Sequence, residues 1–401
     1  MIEKVQNRNL IASLCLLLVS TTSVAQTEKE KGNIFKTIES FATKNMVNGV
    51  DTNYVKTPSR PWQVSLRTRV AQTDLDMRSS IDGESVFDGS FFNPEVKGAG
   101  NLETDPRFKT LVSTSLGVKV GYRGLSASYS FHIAGHKGQS IALKSAGSWY
   151  SVNMRWHKFK MTTPTIRVAG QMYVRDDEQS PWSEETMSYD FKDEVSLESP
   201  IKISTLMFDG FYIFNRKKFS YAAAYTQKTF QVRSAGSFLA GLTAYYADFN
   251  YDNSRNAEFF AVMDDIGRVR QCQVSVGAGY AYNFVPAKGW VLSAMFVPTV
   301  TVLNRTKVNT FKTNYKEVDT RHVLDDEEAD FADEYEVLSK GTHSHNNKMA
   351  LNFNTRISIT YNWDRYFINA NGQFDNYNFK HSGLRGHLND WYINASVGVR
   401  L

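Results

Sequence analysis

Cysteine is nearly missing from this 401-residue chain, which has only Cys15 and Cys272. A single mature cysteine makes no internal bridge, so the fold holds without disulfides. Long apolar runs are missing too. After the first 25 residues none approaches the ~18 residues that a transmembrane helix needs. The sequence has no phosphate loop, dinucleotide fingerprint or cysteine-rich metal signature, and no pattern that calls for a cofactor. A formal charge of +5 is too mild to point to nucleic acid.

What is present begins with residues 1–25, which read as a secretion signal. Lys4 and Arg8 give the basic start, Leu10 to Val19 the apolar core, and Ser23-Val24-Ala25 a small-x-small cleavage site. Cys15 lies mid-core behind Leu14, which does not fit a lipid anchor. The mature chain is rich in aromatics, with 26 Phe, 20 Tyr and 7 Trp in the full sequence. Low hydropathy with many rings suits a wall one residue thick, wet on one side and oily on the other.

The last eleven residues alternate strictly. Trp391, Ile393, Ala395, Val397, Val399 and Leu401 are apolar, while Tyr392, Asn394, Ser396, Gly398 and Arg400 are polar or small. A terminal strand of this kind is the mark of an outer-membrane barrel. Similar runs lie at 62–70, 116–122, 125–133, 150–156, 166–174, 203–214, 219–225, 238–249, 274–284, 290–302, 351–363 and 366–374. Short turns at Arg123-Gly124, Asn215–Lys218, Val285–Gly289 and Asp364-Arg365 contrast with long polar stretches at 71–110, 175–200, 303–349 and 377–390. Aromatics flank the short turns: Tyr122, Phe214, Phe219, Phe284, Trp290, Trp363 and Tyr366.

The runs number thirteen, whereas a barrel with both ends periplasmic needs an even count. The mismatch falls between 230 and 272. Either Glu258–Met263 is a further strand, giving 14, or 219–249 holds only one, giving 12; the reading favours 14. The expected fold is therefore all-β, a transmembrane up-and-down antiparallel barrel of 12–14 strands over 61–401. It follows a periplasmic arm, 26–60, that carries a short amphipathic helix from Ile34 to Ala42. That arm plugs the barrel, lies against its base or, equally, is simply a mobile periplasmic arm.

If the apolar face meets lipid, the wet face lines the lumen, and it is basic. Arg67, Arg69, Lys119, Arg155, Arg167, Arg175, Arg356 and Arg400 fall on it, with Asp375 among few acids. Such a lining favours anions in a pore. Equally, these cations brace the wall by pairing with acids of inward-folded loops. The acids cluster at 176–198 and 317–336. Asp325-Asp326-Glu327-Glu328 lacks the spacing and glycine of a calcium loop and reads as solvated. His132 follows Ser130 on one face at ~7 Å, too far for a catalytic pair. His343 and His345 are too few for zinc. No catalytic or metal residue is assigned, and the chain is read as no enzyme.

Asp51-Thr52-Asn53-Tyr54-Val55 ahead of Pro61-Trp62, then Gly121–Leu125, Arg233–Ser237 and Gly279–Tyr282, together resemble an uncharacterised family of Gram-negative outer-membrane proteins. The resemblance implies a barrel from about residue 45 to 401 and carries no activity. The expected location is the cell outer membrane. The expected partners are its lipid and the barrel-assembly machinery, engaged through the C-terminal strand Trp391–Leu401. The leading expectation is a porin-like or transport-type channel for small polar solutes, with anions as one candidate class. The alternatives are a closed structural or surface-binding barrel acting through its acidic loops, and a membrane-embedded hydrolase. The solute is not legible.

Overall fold

In the computed structural model the first long strand pairs with the last, from Gln63 opposite Arg400 up to Ser79 opposite Leu384. That pairing closes the sheet, so its wall has no free edge in hydrocarbon, where unpaired backbone groups cost several kcal/mol each. The described residues are 37 and 40–401, except 42, 47, 83–96, 136, 162, 176–185, 195, 196, 198, 252–265, 316–334, 364, 382 and 383. The signal segment, Glu258–Met263 and the acidic run at Asp325 lie outside them.

In chain order the strands begin with β1 (Val55–Lys56), β2 (Trp62–Asp82), β3 (Lys97–Lys109), β4 (Ser113–Tyr122), β5 (Leu125–Ala134) and β6 (Gly138–Ala146). Next come β7 (Tyr150–Met161), β8 (Thr165–Arg175), β9 (Thr186–Glu194) and β10 (Ile201–Ile213). A one-turn helix α1 (Tyr221–Tyr225) precedes β11 (Phe230–Gln231), β12 (Ala235–Asn250), β13 (Ile266–Phe284) and β14 (Trp290–Tyr315). The last are β15 (Tyr335–Asn346), β16 (Leu351–Trp363), β17 (Tyr366–His381) and β18 (Leu384–Arg400).

The closed ring runs β2-β4-β5-β6-β7-β10-β12-β13-β14-β16-β17-β18 and back to β2, all antiparallel. It has 12 strands, so the preference for 14 is corrected. Residues 219–225 are not a wall strand but carry α1. Run 166–174 belongs to β8, which pairs with β3 and β9 in an extension beyond the ring. β6 is an additional wall strand. β15 extends β14 in the same way that β3, β8 and β9 extend β2.

Strand alternation sends the apolar set outward. Leu66, Val118, Val276, Ile357, Ile393 and Val397 are all exposed on the outer face, while Gln63, Arg67, Ser128, Asn153 and Asn354 are buried inside. Rings gather at one end of that face. Trp62 packs on Tyr122 at 4.8 Å, Trp290 on Tyr361 at 4.8 Å, and Tyr361 on Trp363 at 5.2 Å. They sit beside the short turns and form the interfacial girdle of the periplasmic rim. Phe219 is the exception, since it is buried in the interior rather than in the girdle. The closed ring, the outward apolar band and the girdle fix the protein in the outer membrane.

The described part of the arm around Asn45 and Asn48 lies against the base. Residues 43–46 are helical. Asn45 accepts from the Trp149 indole N–H at 2.8 Å, and Ser148 donates its hydroxyl to the Asn48 carbonyl at 3.0 Å.

Candidate functional site

The connection from β10 to β12 turns into the barrel instead of skirting it. Ser220 caps α1 by accepting from the Ala223 amide at 3.2 Å, which satisfies a first-turn donor, and the small alanines that follow are fully buried in the narrow interior. Wall side chains from many strands then hold it. The Ala224 carbonyl accepts from Ser358 at 2.7 Å, and Asn283 donates to the Ser220 carbonyl at 2.9 Å. Lys119 donates to the Gln227 side-chain oxygen at 3.1 Å, and Arg400 to the Gln227 backbone carbonyl at 3.1 Å. Tyr221 and Tyr225 point further in, where Tyr225 meets the Ser293 hydroxyl at 3.1 Å and Tyr221 meets Arg356.

β1 latches this segment from below. Asn53 donates its amide to the Asp51 carboxylate at 2.9 Å, a local turn that presents the next residues as a strand. Val55 and Lys56 then pair with Gln231 and Phe230. The buried Gln231 side chain binds the Lys218 and Arg233 carbonyls and accepts from Ser220 and Asn283.

Above the inturned segment, charges meet across the lumen. Arg155 on β7 reaches Asp375 on β17 at 2.7 Å and Asp390 on β18 at 3.2 Å. These strands lie on opposite sides of the ring. Arg356 on β16 pairs with Asp209 on β10 at 2.8 Å. All five side chains are at most 3% exposed. Asn153 adds a hydrogen bond to Asp209 at 2.9 Å, and Gln373 one to Asp375 at 2.7 Å. Asn354 binds Asp375 as well. The Tyr392 ring lies under Arg69 and Arg155, with their guanidinium carbons 4.2 and 4.8 Å from its centroid. Two cations and three carboxylates are buried in this layer. The donors of Asn153, Gln373 and Asn354 meet part of the desolvation that burial demands, while Asp209 Oδ1 has no hydrogen-bond partner among the described residues.

Outside this layer the interior becomes apolar. Leu75, Phe108, Ile203, Met207, Tyr245, Phe249, Tyr377, Phe379 and Leu388 form one buried cluster. The wet face therefore lines only part of the interior, since the extracellular half is packed with rings and aliphatics.

The cations singled out in the sequence divide accordingly. Arg67, Arg69, Lys119, Arg155, Arg356 and Arg400 are buried inside the ring. Arg67 is committed to the Ser130 hydroxyl at 3.0 and 3.2 Å, and Arg69 to His157 at 3.1 Å. Arg167 and Arg175 lie on β8, outside the ring, and therefore off the lumen wall. Arg167 pairs with Asp190 at 2.8 Å, an exposed contact that holds the Asp190 carboxyl below its usual range. The bracing partners are acids of the wall itself. Asp390 lies one residue before the run at 391–401. Asp209 shares its inward phase with Met207 and Phe211, which hid it among apolar neighbours. Alternation within β10 was the only signal that could have found it. Among the described residues no three metal-ligating side chains converge.

The solved structures to which this chain is similar are distant in sequence. The outer-membrane protease OmpT of Escherichia coli is 8% identical, with 86% of this chain and 98% of that chain covered and a TM-score of 0.38. A Pseudomonas aeruginosa FadL homologue is 8% identical over 85% of this chain and 90% of that one, at a TM-score of 0.23. The P. putida toluene transporter TodX is 7% identical over 89% and 94%, at 0.23. No curated protein matches in sequence. Residues 50–400 match the family model described as a domain of unknown function, DUF4421, and the chain belongs to that family.

Proposed function

We propose that this protein is a closed outer-membrane barrel that works as a surface-binding or structural scaffold and has no catalytic role. The observation that carries the reading is the salt-bridge layer of Arg155, Arg356, Asp209, Asp375 and Asp390, which ties opposite walls together. The inturned segment lies below it and the apolar cluster above it. A solute crossing such an interior would have to break buried ion pairs, and removing one partner of such a pair costs about 3–5 kcal/mol. In this reading the cations of the lumen brace the wall instead of selecting anions. The strand extensions β3, β8, β9 and β15 raise the wall on the extracellular side and give the surface through which a partner is met. β18 serves as the recognition strand for barrel assembly.

Planar-bilayer recording of the refolded full chain tests this. The expected result is a silent bilayer at potentials where porins of similar strand number conduct. Stepwise currents with anion preference from the unmodified protein would restore the channel reading.

A further inference from the structure

The strand extensions make a groove on the outside of the wall. It encloses about 490 Å³, and six arginine or lysine side chains line it against one acid among the described residues: Arg78, Arg107, Arg167, Lys192, Lys380 and Arg385 against Asp76. Residue parity settles which way it faces. Along β18, Leu388, Asp390 and Tyr392 are buried inside, so Arg385 and His387 share the outer face with Trp391, Ile393 and Val397. Lys380 is opposite Arg385, and Arg385 is opposite Arg78. Three like charges stand side by side on neighbouring strands, which concentrates positive potential along this row of the groove. Arg107 is already engaged, to Asp74 at 2.6 Å and Asp76 at 3.0 Å, and His387 lies 3.0 Å from Asp76.

Height along the wall identifies what lies there. The outward apolar run of β18 from Val399 to Trp391 covers ~20 Å along the membrane normal at the usual strand rise and tilt, close to the band that contacts hydrocarbon. His387 lies ~10 Å beyond Trp391 and Arg385 ~15 Å beyond it by the same geometry. A phospholipid phosphate sits only a few ångströms above the hydrocarbon, since head groups add ~5–8 Å per leaflet. A phosphate carried on a sugar stands about one sugar ring higher, nearer the level of the row.

We propose that this groove holds the phosphorylated sugar head group of a glycolipid of the outer leaflet, with Lys380, Arg385 and Arg78 as its anion contacts. Neighbouring cations engage phosphate oxygens through charge-assisted hydrogen bonds, and arginine does so in bidentate fashion. The groove is on the outside of the wall, so the proposal is independent of whether the lumen conducts.

The test is native mass spectrometry and titration of the detergent-purified full chain with bisphosphorylated lipid A. The probes for comparison are fully dephosphorylated lipid A, phosphatidylethanolamine and inorganic pyrophosphate. The variant is Arg78→Ser/Lys380→Ser/Arg385→Ser, and its fold is checked by heat-modifiable gel migration. The expected result is binding of bisphosphorylated lipid A that falls by about 100-fold in the variant and is absent for the dephosphorylated lipid. Equal binding by wild type and folded variant would overturn the proposal, as would binding indifferent to phosphate. Pyrophosphate held as tightly as lipid A would assign the groove to a soluble anion instead. If the triple variant fails to fold, Arg385→Ser alone carries the comparison, with about a fivefold loss expected for one cation.

Discussion

Arg155 is the residue on which the interior turns. Its guanidinium is 2% exposed and serves Asp375 and Asp390 at once, while its edge rests on the Met207 sulfur at 3.1 Å. Arginine fits here because its rigid planar fork meets two carboxylates without losing much further rotamer freedom. Arg155→Met leaves two buried carboxylates with no cation across the lumen, and the expected cost is about 3–5 kcal/mol. Thermal unfolding in detergent, followed by loss of heat-modifiable migration, reads that cost. Arg155→Met combined with Asp375→Asn and Asp390→Asn should recover most of the loss, because a neutral hydrogen-bonded layer needs no counter-charge. A triple variant as unstable as Arg155→Met would mean that shape, not charge, makes the layer necessary.

At the scale of elements, the inturned segment depends on a two-residue strand. β1 gives it two ladder partners, and the Val232 amide donates to the Tyr54 carbonyl at 2.7 Å. Deleting residues 26–56 should leave the 12-strand wall intact, since no wall pairing among the described residues involves them. Hydrogen exchange at Phe230–Val232 should then rise at least tenfold, as expected when a strand of this length loses its ladder partner. Unchanged protection there would make the wall contacts of Gln227 and Ala224 sufficient. This element also marks where the sequence was legible and where it was not. The wall strands with four or more outward apolar residues, such as 290–302 and 391–401, announce themselves by period 2. β6 offers only Ile141 and Leu143 among small and polar neighbours, too little alternation to register. Residues 219–225 failed in the opposite way. Tyr221 and Tyr225 are four apart, a spacing that shares a face in a strand and in a helix alike, so periodicity could not separate the two. Counting that segment as wall produced the odd total. β8 has true strand periodicity, and only its pairing with β3 and β9 reveals that it stands above the membrane. The cations of the site were legible as types on a face. Their partners were not, because Asp209 and Asp390 come into range only once the ring closes and brings remote strands opposite one another.

For the whole molecule, the physical frame is an inverted barrel: apolar outside, polar and ionic inside. Its interior is not a uniform wet bore, because burial there is achieved with a helical insert, an ion layer and an aromatic cap. Such an interior is compatible with hydrocarbon only if the outer band is continuous around the ring. Leu66 on β2, Val276 on β13 and Ile357 on β16 sample that band at three places, while Met349 lies beyond it between β15 and β16. Cysteine placed singly at 66, 276, 357 or 349 in a Cys272→Ser background, spin-labelled before refolding, gives a direct reading in lipid vesicles. Labels at 66, 276 and 357 should collide freely with oxygen, which concentrates in hydrocarbon, and weakly with a water-soluble nickel chelate. The label at 349 should show the reverse. The pattern follows from the cost of polar surface in a medium with no hydrogen bonds, which leaves the apolar phase of every wall strand only one face to occupy. Nickel contact at any of the three wall sites would place water against that sector, and the closed ring would then have to stand with part of its outer face turned to a partner or to an aqueous cleft.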